Sequence, residues 1–284
     1  MSEKQRKPKL PKVLQGRNVA NKKLVYAIYF ILRLSVIVML ILQFFNRNYE
    51  NMLLCILTLA LFMLPSALER RLHIDLPDTL EIIILLFIYA AEILGEIQSF
   101  YITFPYWDTM LHTMNGFLCA AIGFALVDLL NRHDRISLNL SPFYMAIVAF
   151  CFSMTVGVLW EFFEFAMDNL LLFDMQKDTI LSTISTVNLD PNHGTQAIAI
   201  KGIEDVILVL QDGTQRSLNL GGYLDIGLHD TMADLFVNFI GAIAFSTIGF
   251  FYVKKRGKSS IAPKFIPRVL NDTEETVSSR SKPE

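Results

Sequence analysis

Four apolar stretches of this chain carry acidic side chains, and in one case a histidine, at the spacing of a helix turn. Asp108 and His112 are four residues apart, so they share one helix face. Glu161 and Glu164 are three apart and do the same. The other members are Glu92 and Glu96 in one stretch, and Asp230, Asp234 and Asn238 in another. Ionisable groups are costly in hydrocarbon and usually face the bundle interior, so we predict one acidic pocket.

Carboxylates combined with one imidazole suit Mg²⁺, Mn²⁺ or Zn²⁺. A cation held in this way activates water and clamps a phosphate or another lipid headgroup. The predicted metal ligands are Asp108, His112, Glu161, Glu164, Asp230 and Asp234. The predicted catalytic residues are His112, Glu161 and Asp234, with His112 or Glu161 as the general base. Glu92, Glu96 and Asn238 are expected to line the rest of the pocket.

Simpler roles are open for several of these residues. Asp108 and Asp230 begin helices, where a carboxylate caps exposed N–H groups and favours the helix dipole. Asn238 could serve only to hydrogen-bond a neighbouring helix. Gly116, one turn after His112, leaves a smooth strip that either another helix or a ligand could approach. Trp160 fits the pattern of an interfacial anchor.

The pattern that must position these groups is typical of a polytopic membrane protein. Of the 284 residues, 53% are hydrophobic, against about 45–50% in a soluble domain. The excess lies in six long runs, each able to cross a core about 30 Å thick. They are Leu24–Phe45, Met52–Leu68, Leu80–Phe100, Tyr106–Leu130, Phe143–Leu172 and His229–Val253. We therefore predict an all-α fold with about six transmembrane helices over residues 24–253, the second span being the shortest.

The basic residues are segregated between the two sides of these spans. Eight Lys and Arg precede the first span, eight follow Val253, and four lie in two loops on the same side. The opposite side has only Arg47, Lys177, Lys201 and Arg216. The positive-inside rule then places both termini in the cytoplasm and the acidic pocket near the outer surface. We expect a multi-pass protein of a bacterial plasma membrane.

Three segments lie outside the spans. Residues 1–23 form a basic cytoplasmic tail, and residues 254–284 form a second one that we expect to be disordered. Between the fifth and sixth spans, residues 173–228 contain two strand-like runs around Asp212-Gly213, a favoured hairpin turn. The sequence predicts a small extracytoplasmic β-hairpin there.

The order of the motifs resembles that of the YjdF-like family of bacterial inner-membrane proteins, and more distantly that of VanZ-like proteins, which are associated with teicoplanin resistance. An Asp–His pair opens the fourth span, W-E-x-x-E lies in the fifth, and D-T-x-x-D-x-x-x-N-x-x-G opens the sixth. The resemblance covers about residues 80–255. It implies an integral membrane protein of the cell envelope and no particular reaction.

Three functions remain open at this point. The first is a metal-dependent hydrolase or transferase that acts on a lipid headgroup or envelope precursor at the outer leaflet. The second is a proton- or cation-coupled transporter, and the third is a non-catalytic assembly protein that binds a lipid or glycolipid. The bilayer itself is a predicted partner, whereas nucleic acid is not, because the short basic tails flank spans and fit topology signals and anionic-lipid contacts. No protein partner is predicted.

Overall fold

A computed structural model describes residues 19–72, 74–132, 140–255, 262–266 and 268–269. Its elements are, in chain order, α1 (Val19–Phe45), α2 (Tyr49–Leu61), α3 (Leu64–Leu72), β1 (Ile74–Asp75), α4 (Asp78–Tyr89), a π-helix (Ala90–Ile97), α5 (Phe100–Thr103), α6 (Trp107–Arg132), α7 (Pro142–Leu171), β2 (Thr179–Leu181), β3 (Thr183–Thr186), β4 (Ile198–Lys201), β5 (Ile207–Val209), β6 (Gln215–Ser217), β7 (Tyr223–Asp225), α8 (Leu228–Lys254) and β8 (Arg268–Val269). Short 3₁₀ turns cover Val187–Leu189 and Ala262–Lys264.

The predicted helical, polytopic class is confirmed. In the described part of the chain, five helical stretches are long and apolar enough to cross a membrane: Leu24–Phe45, Tyr49–Arg71, Trp107–Asp128, Pro142–Leu171 and Leu228–Lys254. The second of them is longer than the span predicted there. The third predicted span, Leu80–Phe100, is built differently, because α4 runs for 12 residues and then continues as an eight-residue π-helix.

The chain divides into two compact units. The described residues within Met1–Leu111, Ala121–Ala149 and Phe245–Glu284 form the first, and those within His112–Ala120 and Phe150–Ala244 form the second. The core of the first unit is formed where α1, α2 and α4 pack together, since their apolar positions recur at helical spacing. Val36, Cys55 and Leu85 are completely buried in it.

The first unit also orders part of the predicted C-terminal tail. β8 pairs antiparallel with β1, joining Val269 to Ile74. Ile266 is buried, and the ring of Phe265 lies 6.0 Å from that of Phe245. The expectation of disorder is therefore wrong for residues 262–266 and 268–269, because these apolar side chains find a surface to cover. Residues 256–261, 267 and 270–284 of that tail and residues 1–18 of the basic N-terminal tail lie outside the described residues, and α1 begins at Val19, before the predicted Leu24.

The segment between α7 and α8 belongs to the second unit and holds three antiparallel strand pairs. The predicted hairpin is confirmed, since β5 pairs with β6 around Gly213, whose φ of 83° suits glycine. The pairs β2–β7 and β3–β4 were not predicted from the sequence. Their strands have only three or four residues, too few to show a clear alternation of apolar and polar positions.

Candidate functional site

The imidazole of His112 lies between two carboxylates that come from different helices of the second unit. Its Nδ1 is 3.7 Å from Oε1 of Glu161 in α7, and its Nε2 is 4.0 Å from Oδ2 of Asp234 in α8. All three side chains are buried, with at most 7% of the residue exposed. Each pair is an ion pair only when the histidine is protonated, so this trio can hold a proton or a cation.

Glu164 completes the group. It lies one helix turn after Glu161, and its Oε1 accepts a hydrogen bond of 2.8 Å from the indole Nε1 of Trp160. Trp160, the predicted interfacial residue, is 43% exposed. Its indole also orients this buried carboxylate through the hydrogen bond. His112, Glu161 and Glu164 each offer one ligand atom, and these atoms all lie within 4.8 Å of one another. Two carboxylate oxygens and one imidazole nitrogen form a ligand set suited to a divalent cation.

Asn238 lies next along α8 and connects three helices. It is 1% exposed, and its Oδ1 accepts a hydrogen bond of 3.2 Å from Nδ2 of Asn115 in α6. Its Nδ2 lies 3.6 Å from the sulfur of Met154 in α7. A further bond of 2.7 Å joins the Ser153 hydroxyl to the Gly116 carbonyl. These are the interhelical hydrogen bonds that the simpler interpretation of Asn238 expected.

Glycines let these helices approach closely. A Cβ atom on Gly116 would lie 2.1 Å from the Asn238 carbonyl oxygen, and one on Gly241 would lie 2.1 Å from that of Thr113. A Cβ on Gly157 would lie 2.6 Å from Nδ2 of Asn238. The smooth strip after His112 is therefore covered by the backbone of α8, an arrangement common where membrane helices cross.

Two other carboxylates accept hydrogen bonds from backbone N–H groups. Asp168 accepts hydrogen bonds of 2.7 and 2.9 Å from the N–H groups of Met175 and Gln176. Asp230 accepts one of 2.7 Å from the N–H of Lys177. The Gln176 amide also donates to the Thr231 hydroxyl. These contacts tie residues 175–177, near the start of the extramembrane segment between α7 and α8, to the ends of those two helices. For Asp230 they show a structural role that the ligand assignment did not include.

A neighbouring carboxylate stabilises the start of α8 itself. Asp225 accepts a hydrogen bond of 2.9 Å from the backbone N–H of His229, and the His229 ring lies 3.0 Å away. These donors hold the pKa of Asp225 below its usual range, the backbone N–H being the largest cause. The carboxylate is therefore ionised at neutral pH and caps the helix.

Three predicted pocket residues belong to the first unit. Asp108 is in the first turn of α6, one turn before His112 in the same helix. Glu92 and Glu96 lie in the π-helix Ala90–Ile97, where Glu92 is half-buried and Glu96 is exposed. The hydrogen bonds of a π-helix run from i to i+5, so a spacing of four no longer stacks two side chains as it does in an α-helix.

Sequence reasoning missed Asn115, Ser153 and Gln176. Asn115 follows His112 by three residues, so the rule that found the carboxylates would also have placed it on their face. Ser153 is a small polar residue within a span, a signal for helix contacts rather than for chemistry. Gln176 has no periodic neighbours and could not have been found.

We expect Asp168→Asn to release the segment at residues 175–177. An amide has only one acceptor oxygen for the two N–H groups that the carboxylate binds, and losing such a bond costs about 1–3 kcal/mol. Hydrogen exchange of peptides covering Met175–Lys177, followed by mass spectrometry, should become roughly 5- to 150-fold faster, the ratio that this energy gives. The control is Asp212→Asn in the hairpin, whose carboxylate accepts hydrogen bonds from Thr214. Equal exchange in Asp168→Asn and wild type would contradict the prediction.

Comparison with known proteins gives two similarities. Residues 28–255 match the model of a family described as "Predicted membrane protein (DUF2238)". A protein of Thermotoga maritima described as uncharacterized is 26% identical over 124 residues, which cover 42% of this chain and 62% of that relative. The matched part is therefore less than two thirds of the relative's length. No solved structure matches the chain.

Proposed function

The chain belongs to the DUF2238 family of predicted membrane proteins, and from that premise we propose that it binds one divalent cation at His112, Glu161 and Glu164. With this cation it would act on the phosphate-bearing headgroup of a lipid or envelope precursor. All three ligands lie in the motifs that resemble those of the YjdF-like family. We propose that the chain is related to that family.

The single observation that carries the proposal is the buried group of one imidazole and two carboxylates from two helices, with ligand atoms within 4.8 Å. Ligands of a transition metal lie about 2.0–2.2 Å from it, so the three atoms would have to move slightly closer together to coordinate one cation. A buried acidic group with an opposing cation is much less costly than one without. Intramembrane ionisable groups that converge from several helices are by default a functional site.

Each residue has a distinct part in this proposal. Glu161 and Glu164 supply negative charge and bind the cation with the His112 nitrogen nearest to them. Asp234 faces the other ring nitrogen and fixes the orientation of the imidazole, as partners of metal-bound histidines do. The cation, when bound, polarises a phosphoryl oxygen and lowers the pKa of water.

The side of the membrane on which we propose the metal site to lie is inferred from the distribution of basic residues. Lys and Arg concentrate in the tails and in the loops that join the second to the third and the fourth to the fifth span. We propose that these face the cytoplasm of a bacterial cell, so that the segment 173–228 and the nearby metal site face the outside. His112 is five residues from the start of α6, about 7–8 Å along the helix axis, which is within reach of the outer headgroups.

The test is headgroup release from liposomes that contain the purified full-length protein. Phosphatidylethanolamine and phosphatidylglycerol are supplied with Mg²⁺, Mn²⁺ or Zn²⁺, and water-soluble phosphate esters are measured over time. We expect release that a chelator stops and that Glu161→Gln reduces at least 100-fold. The control variant is Glu204→Gln, because Glu204 is exposed in the extramembrane segment. Release at the wild-type rate by Glu161→Gln would overturn the assignment.

The same liposomes distinguish the carrier alternative. His112 between two carboxylates would also suit a site that is loaded and unloaded with a proton. Proton or cation flux that follows an imposed gradient, is lost in Glu161→Gln and occurs without headgroup release would replace the enzyme proposal with a transporter.

A further inference from the structure

A second polar site lies in the first unit, in a cavity of about 550 Å³ between α1, α3, β1 and α4. Its volume is within the range of pockets that hold small ligands, about 300–1,000 Å³. Among the described residues, four carboxylates and one guanidinium line it: Glu69, Asp75, Asp78, Glu81 and Arg33. The formal charges of these described lining residues sum to a negative value, which favours a cationic group.

Tyr29 gives an independent sign of a ligand. The residue as a whole is 9% exposed and lines the cavity, and its hydroxyl oxygen is buried. Ser66 and Glu81 lie near this hydroxyl, but no side chain or backbone group among the described residues meets hydrogen-bond geometry with it. A buried hydroxyl without a hydrogen bond is destabilising, so a polar ligand group that reached it from the cavity would stabilise the protein.

Arg33 is held at the same cavity by two contacts. Its guanidinium lies 4.8 Å from the centre of the Tyr29 ring, and its Nη2 is 3.4 Å from the Phe62 carbonyl oxygen. A guanidinium has five N–H donors, so these contacts leave donors for an anion such as a phosphate.

The remaining wall is apolar and opens toward the lipid. Tyr26, Phe30 and Leu34 line the cavity at intervals of four residues on α1, and they are 71%, 67% and 48% exposed. Because Leu24–Phe45 is a candidate span, this exposed helix face would be in contact with acyl chains. A ligand that enters from the bilayer would meet this face with its apolar part.

The carboxylates of the cavity are not arranged for a metal. Among the described residues, the groups of three ligand atoms close enough to hold one do not include Glu69, Asp75, Asp78 or Glu81. An organic ammonium group donates hydrogen bonds in several directions and does not require ligand atoms so close to one another.

We propose that this cavity binds the headgroup of an aminophospholipid of the phosphatidylethanolamine type. Asp78 and Glu81 receive the ammonium group, Arg33 binds the phosphate, and the Tyr29 hydroxyl bonds a headgroup oxygen. The acyl chains run along Tyr26, Phe30 and Leu34 of α1. The site shares no residue with the proposed metal centre and does not depend on the function proposed for it.

The test measures the thermal unfolding of the detergent-purified full-length protein with added phosphatidylethanolamine, phosphatidylglycerol or soluble phosphoethanolamine. We expect phosphatidylethanolamine to raise Tm by several degrees and the other two to leave it nearly unchanged, since ligands that bind only the folded state stabilise it. The double variant Asp78→Asn with Glu81→Gln should lose this shift. Glu50→Gln, at an exposed glutamate in the first turn of α2, should keep it.

Tyr29→Phe keeps the ring and the packing but removes the hydroxyl, so it should fold normally and reduce the shift by at least half. Equal shifts with phosphatidylethanolamine and phosphatidylglycerol would overturn the proposal, as would a full shift in the double variant or in Tyr29→Phe. A full Tm shift with soluble phosphoethanolamine would show that the headgroup does not have to come from a lipid, and this would overturn the lipid part of the proposal.

Discussion

Protein purified in detergent and equilibrated with Mg²⁺, Mn²⁺ or Zn²⁺ should retain close to one equivalent of one of these metals, and Glu161→Gln should lose it. Glu161 supplies one of the three ligand atoms that lie within 4.8 Å of one another. A neutral amide binds these cations much more weakly than a carboxylate does. We expect metal affinity to fall more than about 100-fold, because partners outside the ligand set already change it by about 10- to 100-fold. Elemental mass spectrometry gives the stoichiometry.

Asp234→Asn separates a ligand from a residue that orients one. Its carboxylate is 4.0 Å from Nε2 of His112 and is proposed to fix the ring rather than to bind the cation. Metal binding should therefore be weaker in Asp234→Asn but still detectable at a high metal concentration. Glu161→Gln should show no bound metal. Glu204→Gln serves as the folded control. A wild-type protein that elutes as a single folded species and binds none of the three metals would contradict the metal centre.

Gly241→Ala should destabilise the protein more than any other single methyl group added to α8. The new Cβ would lie 2.1 Å from the Thr113 carbonyl oxygen, and a backbone oxygen cannot rotate away. Since α6 and α8 carry His112 and Asp234, these helices would have to separate, and the hydrogen bond between Asn115 and Asn238 would be strained with them. Overpacking of this kind costs about 1–3 kcal/mol or more. Thermal unfolding followed by size-exclusion chromatography should show a Tm lower by several degrees.

Gly249→Ala is the matched control for this change. It adds the same methyl group to the same helix, but the nearest atoms, at 2.7 Å, belong to the side-chain ring of Phe124 rather than to backbone. Its Tm should fall less than that of Gly241→Ala. If both variants unfolded at the wild-type temperature, the close crossing of α6 and α8 would be wrong. Gly116→Ala, opposite the Asn238 carbonyl, should behave like Gly241→Ala.

The sequence indicated which faces of the helices matter, because the 3.6-residue period determines what shares a face. It placed His112, Glu161, Glu164 and Asp234 in one group without any knowledge of how the helices are rotated. The rotation is determined by close contacts, such as the glycine at position 241 against α6, that a single sequence does not specify.

The roles of Asp168 and Asp230 could not be separated from those of the site by spacing alone. A carboxylate that binds backbone N–H groups and one that binds a cation look identical in a sequence. What distinguishes them is the position of residues 175–177, which have no periodic pattern. The π-helix at Ala90–Ile97 was equally hidden, because its residues continue the apolar pattern of α4.

The pairing of β2 with β7 has a consequence for how this segment varies in length. Leu181 and Tyr223 lie opposite each other, so the two ends of the segment between α7 and α8 are joined by this strand pair. The entropy of closing the loop beyond that base changes slowly with size, by about 0.6 kcal/mol for each doubling. Residues 182–222 therefore form an exchangeable module, into which insertions or a grafted domain would be accommodated while α7 and α8 retain the spacing that their carboxylates require.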